Sequence, residues 1–107
     1  MIPESDWRTF KEIHQVALER FCEKILAECR TVCQDKVQSS HSRYLALYDL
    51  VHQRYKEMRR VFDPFSRSTA LFSLAQMWQM ELIIPAELNR FGPETREWVM
   101  RVGQPDI

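Results

Sequence analysis

The sequence predicts an all-α fold, a compact bundle of four to five helices whose two long N-terminal helices pack antiparallel. Three observations carry that expectation. From Glu4 to Phe91 there is no glycine, and the only prolines in that stretch are Pro64 and Pro85. Glycine and proline punctuate regular structure, so their absence over Glu4–Asp63 leaves no place for the tight turns of a strand meander. Apolar residues recur in steps of three and four, the period of a helix buried along one face. Finally, 107 residues that are 45% hydrophobic and 28% charged have the size and mix of one folded domain.

Taken in order, the first helix is expected to open near Ser5 or Asp6, whose side chains can accept from the free amides of a first turn. Phe10, Ile13, Ala17, Phe21, Ile25 and Val32 then share one face, with Leu18 and Leu26 on its shoulder. Glu12, Glu19, Glu23 and Arg30 project opposite, and Val16 breaks the pattern by pointing to the polar side. The periodicity runs to about Cys33, and Gln38–Ser42 is the polar break. A second helix follows from about Ser42, with Tyr44, Leu47, Val51, Tyr55, Met58 and Phe62 on one stripe. Asp63-Pro64 ends it, because proline lacks an amide donor and disfavours helical geometry in the residue before it.

Ser66 or Ser68 is expected to open a third helix, Thr69 to about Leu82, apolar nearly all round and therefore central. Pro85 suits the first turn of a short fourth helix through about Phe91. Gly92 is expected at the C′ position in a left-handed conformation. Pro93-Glu94 opens a fifth element to about Arg101, and 102–107 is expected to be a frayed tail.

Length carries the argument beyond fold. A continuous first helix of roughly 28 residues spans about 42 Å at 1.5 Å per residue. A compact domain of this size has a radius of gyration of about 13 Å. Either the helix breaks before Val32, or it overhangs its own domain and leaves Ile25, Leu26, Cys29 and Val32 in need of a partner. The expected partner is a protein or a second copy of the chain, with a homodimer the simplest solution.

Charge and chemistry point to binding rather than catalysis. Lysine plus arginine and aspartate plus glutamate stand at 15 each, so the chain as a whole has no basic footprint for duplex nucleic acid. A basic cluster does occur locally: Arg54, Lys56, Arg59, Arg60 and Arg67, with Tyr48 and Tyr55 nearby. Its functional reading is an anion or nucleic-acid face, in which arginine grips phosphate and aromatics stack on bases. The plainer reading is a solvated helix face whose late cations complement the helix dipole.

Cys22, Cys29 and Cys33 fall on one shoulder of the first helix, at spacings of seven and four. Zinc sites take pairs two to four residues apart and want four ligands, so these cysteines read as packing residues. A Cys/His metal or redox site, with His14 about two turns before Cys22, is the alternative. His14 itself reads as a hydrogen-bonded core histidine, and His41 and His52 have no nucleophile at a useful spacing. Glu28 projects into the apolar arc and is expected either to sit where the helix overhangs or to pair with Lys24, a buried acid being the other reading.

No phosphate loop, G-x-S-x-G elbow, HExxH or Glu-x-x-His pair is present, so the expectation is no cofactor, no metal and no catalytic residue. The N-terminal stretch lacks the apolar run of a signal peptide, and Ala70–Ile84 is interrupted by Ser73, Gln76, Gln79 and Glu81. No membrane association and a cytoplasmic location, with reduced thiols, are therefore expected.

Overall fold

The glycine-free stretch folds as two long helices in the computed structural model, which describes residues 1–104. The first, α1, runs unbroken over Glu4–Gln34, and α2 returns antiparallel over Ser40–Phe62. Three shorter helices follow: α3 over Ala70–Gln79, α4 over Pro85–Leu88 and α5 over Pro93–Val102. There is no strand among the described residues, so the all-α bundle and its antiparallel N-terminal pair are as the sequence predicts.

The core sits at one end. Phe10, Ile13, Ala17 and Phe21 of α1 meet Val61 and Phe62 of α2, Ala70, Leu74 and Met77 of α3, and Val99 of α5. Leu82, Ile83, Leu88 and Phe91 close the bottom. Around His14 the packing is aromatic: its ring lies 4.7 Å from Phe65 and 5.3 Å from Phe62, centroid to centroid. His14 Nε2 lies 2.9 Å from the Phe62 carbonyl. A carbonyl only accepts, so that nitrogen carries the proton and satisfies a free carbonyl at the end of α2. His14 is the hydrogen-bonded core histidine its position suggests.

Several local expectations are corrected. The N-cap of α1 is Pro3, not Ser5 or Asp6. Asp6 is instead buried, and its carboxylate accepts from the Gly92 amide (3.0 Å) and the Thr95 hydroxyl (2.6 Å). It therefore caps the start of α5 from another helix. Gly92 has φ −63° and is the N-cap of α5, not a left-handed C′ residue. The left-handed residue is Glu81, φ 59°, which stops α3 three residues short of Leu82. Glu81 donates its amide to Trp78 O and Leu82 donates to Met77 O, the paired bonds of a Schellman end.

Helix α4 is a single turn, so Asn89–Phe91 continue only as turns. Of the expected frayed tail, Val102 completes α5 and Gly103 is buried. A Cβ on Gly103 would lie 2.7 Å from Ala75 O and 2.8 Å from Val99 O, so only glycine lets α5 close onto α3 here. Pro105–Ile107 lie outside the described residues.

Ion pairs fasten the later part of the chain to α1, among them Arg90 with Glu12. Arg20 reaches both oxygens of Glu87 at 2.6 and 2.9 Å and also donates to Leu82 O. Glu87 in turn accepts from the Ile84 amide, which caps α4. The guanidinium holds the Glu87 carboxyl below its usual range, with the Ile84 amide adding to the effect, and burial only partly opposes them. Arg67 ties Ile2 O and Glu4 to the α2–α3 connection.

Candidate interaction face

The bundle measures 52 × 26 × 20 Å and has a radius of gyration of 16.5 Å. A compact chain of this length would have about 13 Å. The excess comes from one feature. The α1–α2 hairpin runs past the core, and from Cys22 to Arg60 not one residue is buried. Of the two outcomes the helix length allows, the overhang is the one found.

The overhang is held by its own two helices. Ile25 and Val32 are half-buried, turned toward α2. Arg54 of α2 donates to Glu28 of α1 and to Glu57 of its own helix, both at 3.0 Å. Glu28 therefore pairs across the hairpin rather than with Lys24, whose ammonium lies against Met80 O. At the tip, Ser39 caps α2 by accepting from the Ser42 amide. Arg43 donates to Cys33 O at 2.6 Å, supplying the cation that the last turn of α1 lacks.

The two sides of this hairpin differ. One side meets α3 and α4 through Arg20 and Lys24. The other is bare. Projected at about 100° per residue, Cys22, Leu26, Cys29 and Cys33 of α1 turn to that bare side together with Tyr44, Tyr48, Val51 and Tyr55 of α2. Between the two rows runs a groove of about 240 Å³ whose wall includes Cys22, Ile25, Leu26, Val51, Tyr55 and Met58. Leu26 is 67% exposed, Tyr44 67%, Tyr48 63% and Tyr55 53%. Tyr48 stacks on His52 at 5.9 Å between centroids.

Of the four residues that sequence reasoning placed on an overhanging stripe, Leu26 and Cys29 belong to this face. Ile25 and Val32 lie at the seam between the helices. What spacing did not reveal is the α2 half of the face: Tyr44, Val51 and Tyr55 read as a core stripe because helical period marks an apolar face without saying what covers it. The cysteines are not core residues either. Cys22 and Cys29 are half-buried and Cys33 is exposed. Among the described residues no group of His, Cys, Asp and Glu side chains is placed to hold a metal ion.

The five basic residues are dispersed in role. Arg54 is bound to Glu28 and Glu57, and Arg67 to Glu4 and Ile2 O. Arg59 pairs with Asp63 of its own helix at 3.0 Å. The hydrogen bond that Arg54 donates to Glu28 raises the guanidinium above its ordinary value, and the one that Arg59 donates to Asp63 does the same there. Lys56 and Arg60 are exposed on the outer edge of α2, beside Tyr48 and His52, and make no ion pair among the described residues. Among those residues no helix is long and apolar enough to cross a membrane. The chain matches no protein-family model, no curated protein and no solved structure.

Proposed function

We propose that this chain works by binding, as a helical protein–protein interaction module that associates with a second copy of itself through the overhanging hairpin. One observation carries the reading: a row of tyrosine, leucine, valine and cysteine side chains stands uncovered along the part of α1 and α2 that runs past the protein's own core. At about 25 cal/mol per Å² of apolar surface, covering several such side chains is worth several kcal/mol, enough to offset the entropy of association. Tyrosine also suits an interface, giving large contact area with few rotamers to freeze. Multi-angle light scattering at micromolar concentration tests the reading. The expected mass is that of two chains, reverting to one in Leu26→Asp or Val51→Asp. A mass of one chain for the unaltered protein overturns it.

A second reading rests on Lys56 and Arg60, exposed and without an ion pair among the described residues, which lie further along the same edge of α2 as the Tyr48–His52 stack, as phosphate-gripping cations near a stacking surface would. Titration with mixed oligonucleotides at about 50 mM salt, where phosphate contacts are strongest, decides it. Binding that falls steeply with salt supports this reading, and no binding removes it.

A further inference from the structure

The two edges of the bare face carry opposite charge, and they are level with one another. Beyond Leu26, the outer edge of α1 presents Glu19, Glu23 and Arg30. Beyond Tyr48, the outer edge of α2 presents Asp49, Lys56, Arg59 and Arg60. All seven side chains are exposed, and among the described residues only Arg59 has an ion-pair partner. The cross-hairpin contacts His14–Phe62, Glu28–Arg54 and Cys33–Arg43 fix which residues of the two helices stand side by side. On that scale Glu19 and Glu23 are level with Arg59, Arg60 and Lys56, and Arg30 is level with Asp49. The two edges flank the groove on opposite sides, so these charges do not meet within one chain.

We infer that the second copy packs on this face about a two-fold axis running parallel to the hairpin, so that α1 of each copy lies over α2 of the other. That operation reverses left and right across the face but leaves height unchanged. It sets Glu19 and Glu23 of one copy against the partner's Lys56, Arg59 and Arg60, and Arg30 against the partner's Asp49, twice over by symmetry. The product is a four-helix bundle in which every neighbouring pair of helices is antiparallel, as short-loop bundles prefer.

The other possible two-fold, perpendicular to the helices, stacks α2 on α2. With its axis midway along the face it would lay Lys56, Arg59 and Arg60 against the partner's α2 tip, residues 40–48, which holds no carboxylate, and would bring only Glu23 near the partner's Arg30. The parallel axis gives each of the seven edge charges an opposite one and this axis does not, so charge complementarity favours the parallel axis. In the favoured register Cys22, Cys29 and Cys33 close against the partner's tyrosine row and lose access to solvent. The inference rests on the self-association proposed above and adds its face and register.

Three measurements on the full chain separate the claims. Equilibrium sedimentation gives the dimerisation constant. Glu23→Arg and Lys56→Glu are each expected to weaken it about tenfold, because an attraction becomes a repulsion at two symmetry-related places. The double variant Glu23→Arg/Lys56→Glu, in which the pair between positions 23 and 56 is re-formed with its signs exchanged at both symmetry-related places, is expected to return to within about twofold of the parent. Glu23 and Lys56 are exposed and make no ion pair among the described residues, and circular dichroism checks that each variant folds. Alkylation of Cys29 by iodoacetamide is expected to slow as chain concentration rises through the dimerisation constant.

A dimer whose Cys29 alkylates at an unchanged rate overturns this face. A dimer with protected Cys29 but no recovery in the double variant overturns the register. Both leave self-association standing. Only a one-chain mass at every concentration takes the self-association reading down with it.

Discussion

The two ends of this molecule are built from the same helices on different terms. At the core end, α1 and α2 are packed on by α3, α4 and α5, and Phe10, Ile13, Val61, Leu74, Met77 and Val99 are almost wholly removed from water. At the tip end the same two helices run on with only each other for cover. Their geometry does not change between the ends, so helix and burial are separable. Residue spacing, caps and cross-hairpin ion pairs sustain the overhang, whereas the core end is sustained by apolar burial. Where the two helices run beyond the core they carry an apolar face that the fold itself leaves uncovered.

The sharpest way to break that contrast is to truncate one side chain at each end. Phe10→Ala, at a fully buried position, is expected to cost about 3–5 kcal/mol in urea unfolding. Leu26→Ala, measured at a chain concentration low enough to keep copies apart, is expected to lie within about 0.5 kcal/mol of the parent. Equal losses would mean that the overhang is cooperative with the core and is not a separate surface.

A smaller effect is expected where the two termini of the fold meet. Asp6 is the acceptor for both the Gly92 amide and the Thr95 hydroxyl, and it is buried beneath them. Asp6→Ala leaves two donors without partners and is expected to cost about 1–3 kcal/mol. Asp6→Asn, which keeps one acceptor oxygen, is expected to cost less. An undiminished stability in Asp6→Ala would show that α5 docks by apolar contact alone, through Val99 and Trp98.

These positions also show what the sequence made legible. The helix count, the antiparallel pair and the length conflict of α1 could be read from residue spacing and from missing breakers, because those are properties of the chain close to each residue. The role of Asp6 could not, since its two partners lie 86 and 89 residues away. Its carboxylate looked like an N-cap because short acidic side chains cap helices, and it does cap one, but a different one. Gly92 and Glu81 exchanged roles for a related reason. Glycine usually supplies the left-handed residue that ends a helix, and at the end of α3 a glutamate does so. On the face itself, Leu26 and Cys29 were legible as overhanging because they lie past the length a core can cover. The tyrosines of α2 were not, because their level is set by where α2 meets α1, and nothing local encodes that.

Acid offers a third probe of the core end. Arg20 and the Ile84 amide hold the Glu87 carboxyl below its usual value of 4.5. A lowered carboxyl contributes stability that is fully present above the unfolded value and is lost as pH falls through the folded one. The contribution of Glu87 to stability is therefore expected to be flat from pH 7 down to about 4.5 and to decline below it. Glu87→Gln, which cannot titrate, is expected to start lower and to show a shallower decline over the same window. Parallel acid curves for parent and variant would mean that Arg20 bonds Glu87 without favouring its charged form.

The smallest expected change goes in the stabilising direction. Glu81 holds φ 59° at the end of α3, a conformation that costs a residue with a Cβ about 1–2 kcal/mol. Its side chain is exposed and makes none of the side-chain hydrogen bonds or ion pairs seen elsewhere, so nothing in its chemistry compensates for the strain. The amides of Glu81 and Leu82 close the Schellman end, and glycine would donate the first of these equally well. Glu81→Gly removes the strain but adds freedom to the unfolded chain, a cost of about 0.5–1 kcal/mol. The balance is a gain of about 0.5–1 kcal/mol, read as a rise of about 2–8 °C in Tm for a domain of this size. Glu81→Ala is the control: it keeps the Cβ, so the strain and the Tm should stay where they are. A rise in Glu81→Ala equal to that in Glu81→Gly would trace the gain to the lost carboxylate near the negative end of α3 and not to the backbone. The core end would then depend on charge as well as on apolar burial, as the overhang depends on its ion pairs, and the contrast between the two would narrow.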